Sequence, residues 1–158
     1  MSSQPFDPSA IPIGVPRILP DLQSSLLCED VRQESNGNFI LVGVLGLVRV
    51  PQVPIVAGKI CVFNRWTAGV GTFQETSRLI GADQTTLIRE GRVKFTLQDP
   101  VHHTTNVTVF GQVEFTKPGV YYLEVLVDDV MKVRYPLPVV VVSAPTPNAS
   151  PAPTPPTS

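Results

Sequence analysis

The sequence predicts an all-β protein: a two-sheet antiparallel sandwich, immunoglobulin-like, of about eight strands, with disordered proline-rich arms at both ends. Three observations carry this. Apolar residues recur at every second position in short runs separated by Gly, Pro, Asn and Asp turns, the period of a half-buried strand. No stretch shows convincing helical periodicity, and no internal repeat is found. Proline divides the chain: five of its seventeen prolines lie in the first twenty residues and six in the last fourteen, leaving six for the middle.

The elements follow in order. Residues 1–20 form an extended arm, whose IPIGVPRILP end suits a sheet edge because missing N–H donors are tolerated there. Residues 22–35 are a strand leading into Asn36-Gly37, a dipeptide suited to a two-residue type I′ hairpin. That loop sets Leu26 opposite Leu47 and Cys28 opposite Leu45. Residues 39–50 (FILVGVLGLVRV) are apolar on both faces, which predicts a central strand with Gly43 or Gly46 at a bend. Pro51 and Pro54 end it.

Residues 59–66 (KICVFNRW) make the next strand. Residues 73–82 (FQETSRLIGA) have the mixed pattern of an edge strand. In residues 85–98, Val93, Phe95 and Leu97 point inward and Arg92, Lys94 and Thr96 outward, with Gly91 at a bend. Asp99-Pro100 opens a loop through His102, His103 and Asn106. Three strands within residues 107–142 complete the set. Tyr121, Leu123, Val125 and Val127 share one face; Met131, Val133, Tyr135 and Leu137 share one face of the last strand. Opposing these sets requires an odd loop, of three residues (128–130) or five, with Val127 facing Met131 and Val125 facing Val133. Tyr121, just after the Pro118-Gly119 turn, is placed like a tyrosine corner, whose hydroxyl satisfies nearby backbone.

The domain organisation is therefore an arm (1–20), a β domain (21–143) and a Pro/Thr/Ser-rich tail (144–158) without a charged side chain. The 158 residues are 42% hydrophobic and 16% charged, with a formal net charge of −1, so one core is expected and a polyanionic partner such as nucleic acid is disfavoured. No run reaches the roughly 18 apolar residues of a membrane span, and no signal-peptide pattern opens the chain, so a cytoplasmic location is expected. Cys28 and Cys61 sit in apolar strand patterns, as buried free thiols do.

The LCEDVR run at residues 27–32, the hairpin after it, LVGV at 41–44, the Val-Pro steps at Pro51 and Pro54, and PGVYYLEVLVDD…PLPVVV together resemble an uncharacterised family of small bacterial proteins. The resemblance covers about residues 22–142 and implies an all-β domain of unknown function. It brings no catalytic or binding residues with it.

Candidate chemistry is sparse. His102 and His103 are metal-ligating types, yet adjacent side chains on an extended segment point apart, and zinc needs three or four ligands. Asp128 and Asp129, joined by Glu29, Asp30 or Asp99, would be the acids of a calcium site, which takes six or more oxygens. Solvated turns explain all of these with fewer assumptions. Arg65-Trp66 is the one basic–aromatic pair and so the candidate for stacking on a cation or base; a core tryptophan is the simpler reading. No nucleophile elbow, metal-ligand spacing or phosphate-cradling loop appears. No catalytic residue and no cofactor is therefore assigned.

These observations favour a non-enzymatic binding or scaffolding module with a protein partner and a tethering tail. A structural subunit assembling through edge strands, or an enzyme or small-ligand-binding protein whose site converges from separate loops, are the alternative readings.

Overall fold

In the computed structural model, which describes residues 16–143, the period-two runs become nine strands, and no helix occurs among the described residues. They are β1 (Asp21–Gln33), β2 (Phe39–Val44), β3 (Val48–Val50), β4 (Ile55–Thr67), β5 (Gly71–Ile80), β6 (Leu87–Leu97), β7 (His103–Phe115), β8 (Gly119–Val127) and β9 (Val130–Val141). They form a four-stranded sheet in the order β2-β1-β4-β7 and a five-stranded sheet in the order β3-β9-β8-β5-β6. One hydrophobic cluster draws on both: Leu27, Val62, Trp66 and Phe110 from the first, Phe73, Phe95, Leu123, Val125 and Leu137 from the second. Trp66 stacks on Phe95 with ring centres 5.5 Å apart, and Phe115 meets Tyr121 edge-on at 5.1 Å.

The extra strand comes from residues 39–50. They are not one central strand. β2 is an edge of the first sheet and β3 an edge of the second, where it runs parallel to β9, the one departure from antiparallel pairing among the described strands. Gly43, at φ +65°, and the following residues carry the chain between sheets. Apolar residues on both faces are thus explained by two strands that each bury one side, against different neighbours.

The first hairpin also differs from expectation. Gly37 N–H donates to Glu34 O at 2.9 Å and Glu34 N–H to Asn38 O at 2.7 Å, with Gly37 at φ +92°. This is a three-residue loop, a turn closed by a left-handed glycine, rather than the two-residue type I′ form. The register shifts by one, so Cys28 faces Val44 and not Leu45.

At the last hairpin the converse happened. Asp128 and Asp129 both have positive φ, 45° and 66°, and make a two-residue turn between the partners Val127 and Val130. Val125 still faces Val133, because a bulge between Val125 and Leu126 absorbs one residue. Met131 consequently faces Leu126, not Val127, and is exposed.

The inward set Tyr121, Leu123, Val125 and Val127 is fully buried as the alternation requires. The Tyr121 hydroxyl donates to Lys117 O at 2.7 Å, the bond expected of a tyrosine corner. Removing it in Tyr121→Phe is expected to cost about 1 kcal/mol, read as a fall of a few degrees in a thermal melt. An unchanged melt would show that the bond contributes nothing net.

Two further expectations are corrected. β5 is not an edge strand but lies between β6 and β8. Asn106 is not in a loop: β7 begins at His103, and Asn106 is buried within it. Gly91 lies inside β6, which runs through it. A Cβ there would lie 2.5 Å from Thr108 Cγ2, so the glycine permits close approach of the two sheets along their β6 and β7 edges.

The proline-rich arms fall largely outside the described residues. Residues 1–15 and the tail 144–158 are among those not described. Ile18, at the end of the first arm, forms an isolated antiparallel bridge with Val70.

Candidate functional site

Three places bring chemistry-bearing side chains together. The first is a polar group inside the core. On β4 the inward positions are Ile60, Val62, Asn64 and Trp66, and Asn64 faces Asn106 across the β4–β7 ladder. From the other sheet, β5 sends in Glu75 and Ser77. Glu75 is 1% exposed and accepts a hydrogen bond from Trp66 Nε1 at 2.8 Å. Asn64 Nδ2 donates to Ser77 Oγ at 3.1 Å. Asn64 Oδ1, Asn106 Nδ2 and Thr108 Oγ1 make no hydrogen bond. Burial pushes the Glu75 carboxyl above its ordinary value, opposed by the hydrogen bond from the Trp66 indole. Glu75 is sealed from solvent, so its carboxyl meets core side chains rather than a substrate. Sequence reasoning missed it. The available signal was Asn64, a polar residue on the apolar side of an otherwise apolar strand.

The second place is the end of the sheets that carries the predicted metal candidates. Asp128 Oδ2 pairs with the Arg17 guanidinium, while its Oδ1 accepts from Gln74 N–H at 2.9 Å. Arg17 also lies over the Phe73 ring, 4.6 Å from its centre. Asp129 is exposed, as are His102 and His103, and the His102 carbonyl accepts from Thr67 Oγ1 at 2.9 Å. Asp30 is held by Lys59 and Arg32 elsewhere, and those two cations hold its carboxyl below the usual range. Among the described residues no three His, Cys, Asp or Glu side chains are grouped to hold a metal ion.

Adding zinc or calcium at modest concentration is expected to leave the melting temperature unchanged. A native-state ligand at a hundredfold excess over Kd adds about 2.7 kcal/mol, several degrees in a domain of this size. A clear shift lost in His102→Ala or Asp128→Asn would assign that loop cluster as a site.

The third place is the face of the four-stranded sheet turned away from the core. Because Leu27, Val62 and Phe110 point inward, their neighbours alternate outward. Register then aligns two rows. Val44, Cys28, Cys61 and Val109 lie side by side across all four strands, and Leu26, Phe63 and Val107 form the next row. Val44 and Val109 are more than half exposed and Leu26 is also exposed, while the cysteines between them are buried. Phe39 of β2 meets Phe63 edge-on at 5.7 Å. Phe39, Leu41, Phe63 and Arg65 line a groove of about 400 Å³ with Glu34 and Asn38 at its polar rim.

Arg65 and Trp66 thus separate to opposite faces. Arg65 lines this groove, with its Nε donating to Thr105 Oγ1 at 3.2 Å, whereas Trp66 is fully buried and presents no face to a ligand. The outward rows were not legible in the sequence, since they depend on which strands are neighbours.

No helix among the described residues is long and apolar enough to cross a membrane. No curated protein matches the chain. A family model does match, over residues 23–140, which run from within β1 to within β9. The chain belongs to that family, a family of unknown function (DUF6941).

Proposed function

We propose that this protein is a non-enzymatic binding or scaffolding module, an immunoglobulin-like β-sandwich that docks a partner protein on the outer face of its four-stranded sheet. One observation carries the reading: apolar side chains left exposed in register across that face, Val44, Val109 and Leu26, beside a groove floored by Phe39 and Phe63. Singly scattered exposed apolar residues need no explanation; here Val44 and Val109 stand at the two ends of one apolar cross-strand row and Leu26 in the next, and apolar surface rimmed by polar groups favours an interaction surface. The rim is here: Arg65 and Glu34 at the groove, and the Lys59–Asp30 ion pair at 2.7 Å nearby. The partner chemistry is a protein surface presenting an apolar side chain to the groove. A tethering role for the proline-rich tail and a cytoplasmic location belong to the same reading, and rest on composition.

The test is the full chain and a Val44→Asp/Val109→Asp variant used side by side as bait. Both positions are exposed, so the variant should melt with the wild type. The reading expects a partner protein that the wild type retains and the variant loses. Equal retention by both, or by neither, would move the function away from this face.

A further inference from the structure

We infer that Cys28 and Cys61 are a reversible modification site, a cross-strand dithiol that a low-molecular-weight disulfide converts into an intramolecular bridge. The inference is independent of the docking reading and rests on pairing. The two residues are partners in the β1–β4 ladder, both free and both buried. Directly opposed residues of an antiparallel pair have Cα atoms about 4.5 or 5.5 Å apart. A disulfide spans about 4.4–6.8 Å between Cα atoms, so the backbone already holds the two thiols at bridging distance.

The same geometry makes the bridge reversible. Opposed Cβ atoms stand about 4.5–5.5 Å apart, against the roughly 3.5–4.5 Å that a disulfide prefers. The closed form is drawn tight, and strained bridges are the readily reduced ones. This is the transient kind of disulfide found in reducing compartments.

Attack begins at Cys61. Burial pushes both thiols up; at Cys61 the Lys59 ammonium opposes that push and its partner Asp30 adds to it, while at Cys28 only Cys61 joins burial, also upward. The Cys61 thiolate displaces one thiolate from the reagent disulfide, leaving a mixed disulfide on Cys61. The Cys28 thiolate then attacks the Cys61 sulfur and expels the second thiolate. Two protein thiols become one disulfide, one reagent disulfide becomes two thiols, and the two protons leave with them.

Access comes from β2, an edge strand of six residues hydrogen-bonded only to β1, and hence among the first elements to open locally.

The experiment uses the native full chain and oxidised glutathione at mildly alkaline pH, read by intact mass and peptide mapping. The wild type is expected to lose two hydrogens without an accumulating adduct, to yield a peptide linking Cys28 to Cys61, and to revert with dithiothreitol. Cys28→Ser is expected to stop at one glutathione on Cys61, since the resolving thiol is gone. Native wild type that carries two glutathiones, forms linked dimers, or stays unchanged while the urea-unfolded chain closes the bridge would overturn the assignment.

Discussion

Val125→Asp is expected to unfold the domain. Val125 is fully buried on β8, between Ser77 of β5 and Val133 of β9, and belongs to the cluster shared by both sheets. Its ladder partners Ser77 and Val133 carry no charge to pair with a carboxylate there, and burying an unpaired charge costs on the order of several kcal/mol. A domain holds only about 5–15 kcal/mol in total, so most of the population should be lost or strongly destabilised. Val120→Asp is the matched control: it lies on the same strand, on the alternate face, and is exposed. It should cost under about 1 kcal/mol, as surface changes do. Thermal melts of the two variants decide the matter, and equal losses would refute the face assignment.

The second large effect is a dependence on pH carried by Glu75. Its carboxyl titrates above the ordinary value in the folded protein, chiefly because burial disfavours the charge. The folded state therefore holds its proton at pH values where the unfolded chain has released it. Stability is fully present below the unfolded carboxyl pKa and falls as pH rises through the folded one. Each unit between the two costs about 1.4 kcal/mol.

Glu75→Gln removes this titration yet keeps an oxygen for the Trp66 indole, and Asn64 Oδ1 stands without a partner in the same cluster to accept from the new amide. The variant should match the wild type below the unfolded carboxyl pKa and exceed it above, with the margin growing until pH passes the folded pKa and constant beyond. Urea unfolding across that range, followed by fluorescence of the single tryptophan, measures the difference. Parallel curves would mean that Glu75 does not carry the dependence.

The buried carboxylate also shows how a sequence pattern misleads. Residues 73–82 read as an edge strand because Gln, Glu, Thr, Ser and Arg interrupt the apolar residues. In the structure β5 is central, and two of its polar residues, Glu75 and Ser77, are buried against Trp66 and Asn64 of the opposite sheet. A polar side chain is tolerated in a core when a partner meets it. That partner lies on another strand, where local periodicity carries no information.

The sequence alone determined the all-β class, the inward faces of β6 and β8, and the Tyr121 hydroxyl bond. Each depends on spacing within one short segment: alternation selects the buried side of a strand, and Pro and Gly end it. Tertiary structure decided everything that depends on neighbours. It split residues 39–50 between two sheets, shifted the first hairpin by one residue through Gly37, and restored the last one's register through a bulge after Val125. It also set Cys28 beside Cys61 and assembled the row from Val44 to Val109 across four strands. The physical reason is that ladder hydrogen bonds are made by backbone groups every residue shares. Which strands pair is therefore settled only by the fit of whole faces across the core.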